Sequence, residues 1–62
     1  MEHSFRVYSL CSFETELVVP VVELIDAETD EDAVSMARSR KFTMRREVWE
    51  RHRLVAVIHP AI

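Results

Sequence analysis

Cys11, His3, His52 and His59 are the residues of this chain best equipped for metal ligation or nucleophilic chemistry. Structural zinc sites draw on close ligand pairs such as Cys-x2-Cys or His-x3-His. None occurs here, and the nearest pair, His52 and His59, is separated by a stretch that reads as a strand. Extended backbone places those two imidazoles about 23 Å apart on opposite faces. A Cys–His dyad built on Cys11 lacks any mark of an orienting third group or an oxyanion hole. No metal, no cofactor and no catalytic residue is expected, and the chain is not expected to be an enzyme.

Two charged stretches could instead do binding chemistry. The acidic stretch 23–32 carries Glu23, Asp26, Glu28, Asp30, Glu31 and Asp32. It does not follow the EF-hand pattern, which needs a central glycine and a final bidentate glutamate. It could imitate the phosphates of a nucleic acid, as a small acidic inhibitor would, or simply cap a helix. The basic stretch 38–53 carries Arg38, Arg40, Lys41, Arg45, Arg46, Arg51 and Arg53 around Trp49. Those cations could track phosphates while the indole stacks on a base. Against that stands the acidic balance of the whole: net charge −3 and pI about 5.5, where nucleic-acid domains are usually basic. The asymmetry is strong. Residues 1–37 hold one basic and nine acidic side chains, and residues 38–62 hold seven basic and two acidic.

These groups must be positioned by few elements, because 62 residues make one small domain, 1–62, with a marginal core. The hydrophobic fraction of 48% and charged fraction of 31% are those of a folded chain. A single cysteine excludes an internal disulfide. The N-terminus lacks the basic region and cleavage site of an export signal, and the run Leu17 to Ile25 is too short to cross a bilayer. A cytoplasmic protein that avoids membranes is expected.

The pattern predicts a helix over residues 30–41. Thr29 is its N-cap, Asp30, Glu31 and Asp32 fill the first turn, and cations fill the last. Ala33, Val34, Met36 and Ala37 make its apolar stripe, with Ser35 and Ser39 opposite. Strands are expected over 5–10, 17–25, 43–49 and 53–58. Pro20 cannot donate to a ladder, which sends the second strand to an edge. The turn at Glu50-Arg51-His52 must do without glycine, so either a residue such as His52 is expected to adopt positive φ or the turn is a longer loop built on a type I turn. The fold class is α+β, order β-β-α-β-β, with one helix on one face of a mostly antiparallel four-stranded sheet.

The segments Phe5-Arg6-Val7-Tyr8, Asp26 to Ala33 with Ala37-Arg38, and Val48-Trp49-Glu50 with Arg53-Leu54-Val55 resemble a family of short bacterial proteins frequent in alphaproteobacteria. Its members join a Phe/Tyr-x-Val-Tyr strand to an acidic-capped, alanine-rich helix and a Leu-Trp-x-Gly-like hairpin. The resemblance implies the same element order. It implies no activity, and this chain departs from the family in carrying no glycine at either hairpin.

One helix covers one face of such a sheet. The strand registers place Tyr8, Leu10, Trp49, Val55 and Val57 on the other face, with Arg45 beside Trp49. An apolar patch of that kind marks an interface, and Trp, Tyr and Arg are the residues that dominate binding energy. The expected function is a non-catalytic protein-interaction module whose partner is a second copy (a homodimer) or another protein, with nucleic-acid binding through 38–53 or acidic mimicry through 23–32 as the alternatives.

Overall fold

Four runs of alternating side chains and one capped amphipathic run set the architecture in a computed structural model, which describes residues 4–13, 20–39, 42 and 44–60. The elements are β1 (Arg6–Ser12), β2 (Val21–Ala27), α1 (Asp30–Arg38), β3 (Arg46–Glu50) and β4 (Arg53–Ile58). The strands form one antiparallel sheet in the order β2-β1-β3-β4. β2 and β3 flank β1 and run parallel to each other. Strands so related need a crossover, and α1 supplies it, passing over β1 on one face of the sheet. The element order and fold class are those read from the sequence.

The helix starts where a hydroxyl replaces a missing backbone partner. Thr29 is extended (φ −135°, ψ 162°) and its Oγ1 accepts from the Asp32 N–H at 3.1 Å. With no glycine to end it, α1 stops through side chains. The Ser39 hydroxyl donates to the Met36 carbonyl at 2.7 Å, and the Arg46 guanidinium donates to the Ala37 carbonyl at 2.6 Å. The helix is therefore shorter than the expected 30–41, whose residues 40 and 41 lie outside the described ones.

Ala33 and Ala37 are fully buried, so the helix backbone lies close to the sheet. The core is these two with Tyr8, Leu10, Ala27, Val48 and Ile58, flanked by Ile25, Val34, Phe42, Val55 and Ala56. Met36, expected in the stripe, is exposed instead.

Several boundaries and faces differ from expectation. β1 extends to Ser12, β3 starts at Arg46, and β2 begins at Val21, just after Pro20. The expected strand positions 17–19 and 43 lie outside the described residues. β2 is an edge strand, as expected, although Pro20 lies just before the strand and not within its ladder. Tyr8 and Leu10 were expected on the uncovered face but lie under the helix, 0% and 4% exposed. The alternation along β1 was right and its direction reversed: the large side chains go inward and Val7, Ser9 and Cys11 outward. The β3–β4 register shifts between Val48 and Trp49, which leaves Val55 as the extra residue on β4. That bulge puts both Val55 and Ala56 against Val48 on the helix side, which moves Val55 off the uncovered face. The positive φ in the β3–β4 turn falls on Arg51 (φ 54°), not His52.

Candidate interaction face

The sheet has a face that no described residue covers. Alternation along β1 sends Val7, Ser9 and Cys11 to it, and the pairing fixes their neighbours. One row across the strands reads Leu24, Ser9, Trp49, Leu54, and the next reads Val22, Cys11, Glu47, Val57. Above them Val7 pairs with Asp26, and below them the Phe13 N–H donates to the Arg45 carbonyl. Val7, Val22, Leu24, Leu54 and Val57 are exposed, Leu24 most of all at 69%. Single exposed aliphatics are ordinary, but five on one sheet face form a patch.

The patch combines small side chains on β1 with charge that is already paired. Ser9 and Cys11 are small and sit on the interior strand β1. By side-chain size this makes β1 the trough of the face, between Leu24 and Val22 on β2 and Trp49 and Glu47 on β3. The charge within the rows is already tied down. Glu47 Oε1 accepts from the Trp49 indole N–H at 3.1 Å, and Glu47 Oε2 accepts from Arg45 Nε at 3.4 Å. Arg45 in turn stacks on Phe13, its guanidinium 4.1 Å from the ring centroid. Burial, and then the Glu47 charge, push the Cys11 thiol up from its ordinary range.

Of the six expected interface residues, the structure places Trp49, Val57 and Arg45 on this face. Tyr8, Leu10 and Val55 are on the helix side. Val7, Val22, Leu24 and Leu54 take their places. The size of the side chains along β1 was the available signal: Val-Ser-Cys on one side packs a core poorly, and Tyr-Leu packs one well.

The opposite face carries a clasp at the helix N-terminus. Arg53 grips Asp30 with two hydrogen bonds of 2.9 and 2.8 Å. The Tyr8 hydroxyl donates to Asp30 Oδ1 at 2.7 Å. Arg6 grips Glu50, with Nε to Oε2 at 2.6 Å, and Arg53 also reaches Glu50 at 2.6 Å. Arg53, then Tyr8, hold the Asp30 carboxyl far below its usual range. Arg6, then Arg53, lower Glu50 to about 2. Burial, and then its bond to Asp30, raise the Tyr8 phenol.

Among the described residues, the charged stretches divide between the two faces of the sheet. Along 23–32, Asp26 lies on the uncovered face, Glu23 lies opposite Leu10 on the helix side, and Asp30 belongs to the clasp. Along 38–53, Arg46 is buried, with Nε donating to Ser12 Oγ at 3.0 Å and its guanidinium over Phe42. Arg53 is in the clasp, Arg45 is on the open face, and residues 40 and 41 lie outside the described ones. Among the described residues no three His, Cys, Asp or Glu side chains gather as a metal site; His52 and His59 are exposed, and His3 lies outside the described residues. No helix among them is long and apolar enough to cross a membrane. Compared with protein-family models, curated proteins and solved structures, the chain gives no significant match.

Proposed function

We propose that this chain is a non-catalytic, cytoplasmic protein-interaction module that works as a homodimer through the open face of its sheet. The observation that carries the reading is the set of five exposed aliphatics around Trp49 on the face opposite α1. A second copy suits this face because the carboxylate in its middle, Glu47, already has Trp49 and Arg45 as partners. Burying such satisfied groups avoids the desolvation penalty of unpaired ones. The lone cysteine is consistent with a reducing compartment.

Size decides how strong the dimer is. Strands ~4.8 Å apart with a rise of ~3.3 Å give four strands of about six residues a face of roughly 400 Å2 in projection. Two such faces, with their side-chain relief, bury on the order of 1,000 Å2, the low end of specific interfaces. Dissociation constants on the order of micromolar are expected at that size.

Sedimentation equilibrium across a range of concentrations tests this. A mass rising from monomer to dimer supports the reading, and a monomer at every concentration overturns it. Leu24→Arg is the informative variant, since a side chain this exposed contributes little to the protomer's own core. Each dimer loses two buried leucines, so association should weaken by at least about 100-fold with unchanged circular dichroism. Cys11, the chain's one thiol, gives a second readout. Its alkylation should slow as protein concentration rises, and Leu24→Arg should abolish that dependence.

A further inference from the structure

We propose that the two copies meet about a two-fold axis that runs parallel to the strands, between β1 and β3, so that each Trp49 indole seats over the partner's Ser9. The proposal rests on the homodimer reading and adds to it the orientation and the residues that set it.

Of the in-plane two-fold axes that bring this face against itself, two keep the strands of the copies aligned, as in aligned sheet packing. An axis along the strands reads every row backwards. Leu24 then lies over the partner's Leu54, and Val22 over the partner's Val57. Trp49 lies over the partner's Ser9, and Glu47 over the partner's Cys11. Large meets small, and aliphatic meets aliphatic. An axis across the strands exchanges the two rows instead. Ser9 then lies over the partner's Cys11 and Trp49 over the partner's Glu47, so trough faces trough and ridge faces ridge. Protein interiors pack at crystal density, and opposed hollows forfeit the contacts that density supplies. Sheets stacked face to face stay within about 30° of alignment, which preserves the row pairing near the axis.

Charge at the rim favours the same axis. Asp26 ends the open face on edge strand β2 and has no ion-pair partner among the described residues. Extending the β1–β3 register by two residues beyond Ser9 and Trp49 sets Arg51 across from Val7, at the same end of the sheet as Asp26. Arg51 also lines a cleft there with Val7 and Ser9. Within one protomer the backbones of the two residues are two strand spacings, about 10 Å, apart, with β1 between them. The axis along the strands lays Asp26 beside the partner's β3–β4 turn, where Arg51 lies. The axis across them lays it beside the partner's Pro20. Arg51 is also the one positive-φ residue among those described, in a chain without glycine. A strained turn position that keeps a long cation fits a role for that cation outside the turn.

The test uses two single-cysteine chains in a Cys11→Ser background, Leu24→Cys and Leu54→Cys, one of them mass-tagged. They are mixed and treated with a short bifunctional thiol reagent. The mixed 24–54 product should exceed the 24–24 product several-fold. Equal or greater 24–24 crosslinking in a sample of dimer mass overturns this axis and leaves the homodimer reading intact. Monomer mass at every concentration overturns both. Charge reversal gives an independent readout. Asp26→Arg and Arg51→Asp should each weaken dimerisation by about tenfold, and the double reversal should restore most of the loss. Additive losses in the double variant overturn the pairing. Aspartate tolerates positive φ, so Arg51→Asp leaves the turn formed.

Discussion

Arg46 shows how one side chain can stand in for missing backbone chemistry. A helix leaves its last carbonyls unpaired, and a glycine past its end commonly permits the turn that satisfies them. This chain has no glycine. Arg46 reaches from β3 to the Ala37 carbonyl, with a second bond to Ser12, and so ties the helix end to two strands. Arg46→Met keeps the stem but leaves a buried carbonyl and hydroxyl without that donor, which should cost about 2 kcal/mol. In a domain this small the thermal midpoint should fall by roughly 10 °C, measured by calorimetry. Arg46 read in the sequence as one more cation of a basic run. Its burial follows from β3 register, since it shares a face with Val48 two residues on, and neighbouring cations hid that alternation.

At the scale of elements, the two alanines of α1 matter more than its longer side chains. Ala33 and Ala37 are the contact points with the sheet, and their lack of bulk sets how closely the helix sits. Ala37→Leu should destabilise the fold by about 1–3 kcal/mol through overpacking, read as a lower urea midpoint, whereas Met36→Leu on the exposed side should be nearly silent. The helix and its cap were legible because Thr29, the acidic first turn and the alanine spacing agree on one answer. The strands were legible in number and in their order along the chain, but not in their order across the sheet or in which side faces the helix. A period of two tells which residues share a side and says nothing about which side is covered, so Tyr8 and Leu10 were turned outward. The β4 bulge was not legible at all. Nothing in Leu54-Val55-Ala56-Val57 marks where a register shift falls, and the shift moved Val55 inward.

At the scale of the molecule, the clasp links the helix N-terminus, β1 and the β3–β4 hairpin through exposed ion pairs. Exposed pairs contribute modestly and are screened by salt, but their dependence on pH is specific. Asp30 lies far below its ordinary range and Glu50 at about 2, while unfolded carboxylates titrate near pH ~4. Groups lowered on folding stabilise above the unfolded value and lose that contribution as pH falls towards the folded one. The thermal midpoint should hold from pH 7 to about 5 and decline below ~4.5. Asp30→Asn should lower the plateau and flatten the decline; an unchanged acid slope would contradict the clasp.

The passage of α1 over β1 also orders the steps by which the chain assembles. β1 can zip to β2 as a neighbouring hairpin, but its other flank waits for β3, whose Trp49 pairs with Ser9 forty positions earlier. Closing so long a loop is slow relative to local pairing. Until it closes, the nascent hairpin presents a bare ladder edge along β1, and the last third of the chain acts as its own chaperone by arriving to cover it.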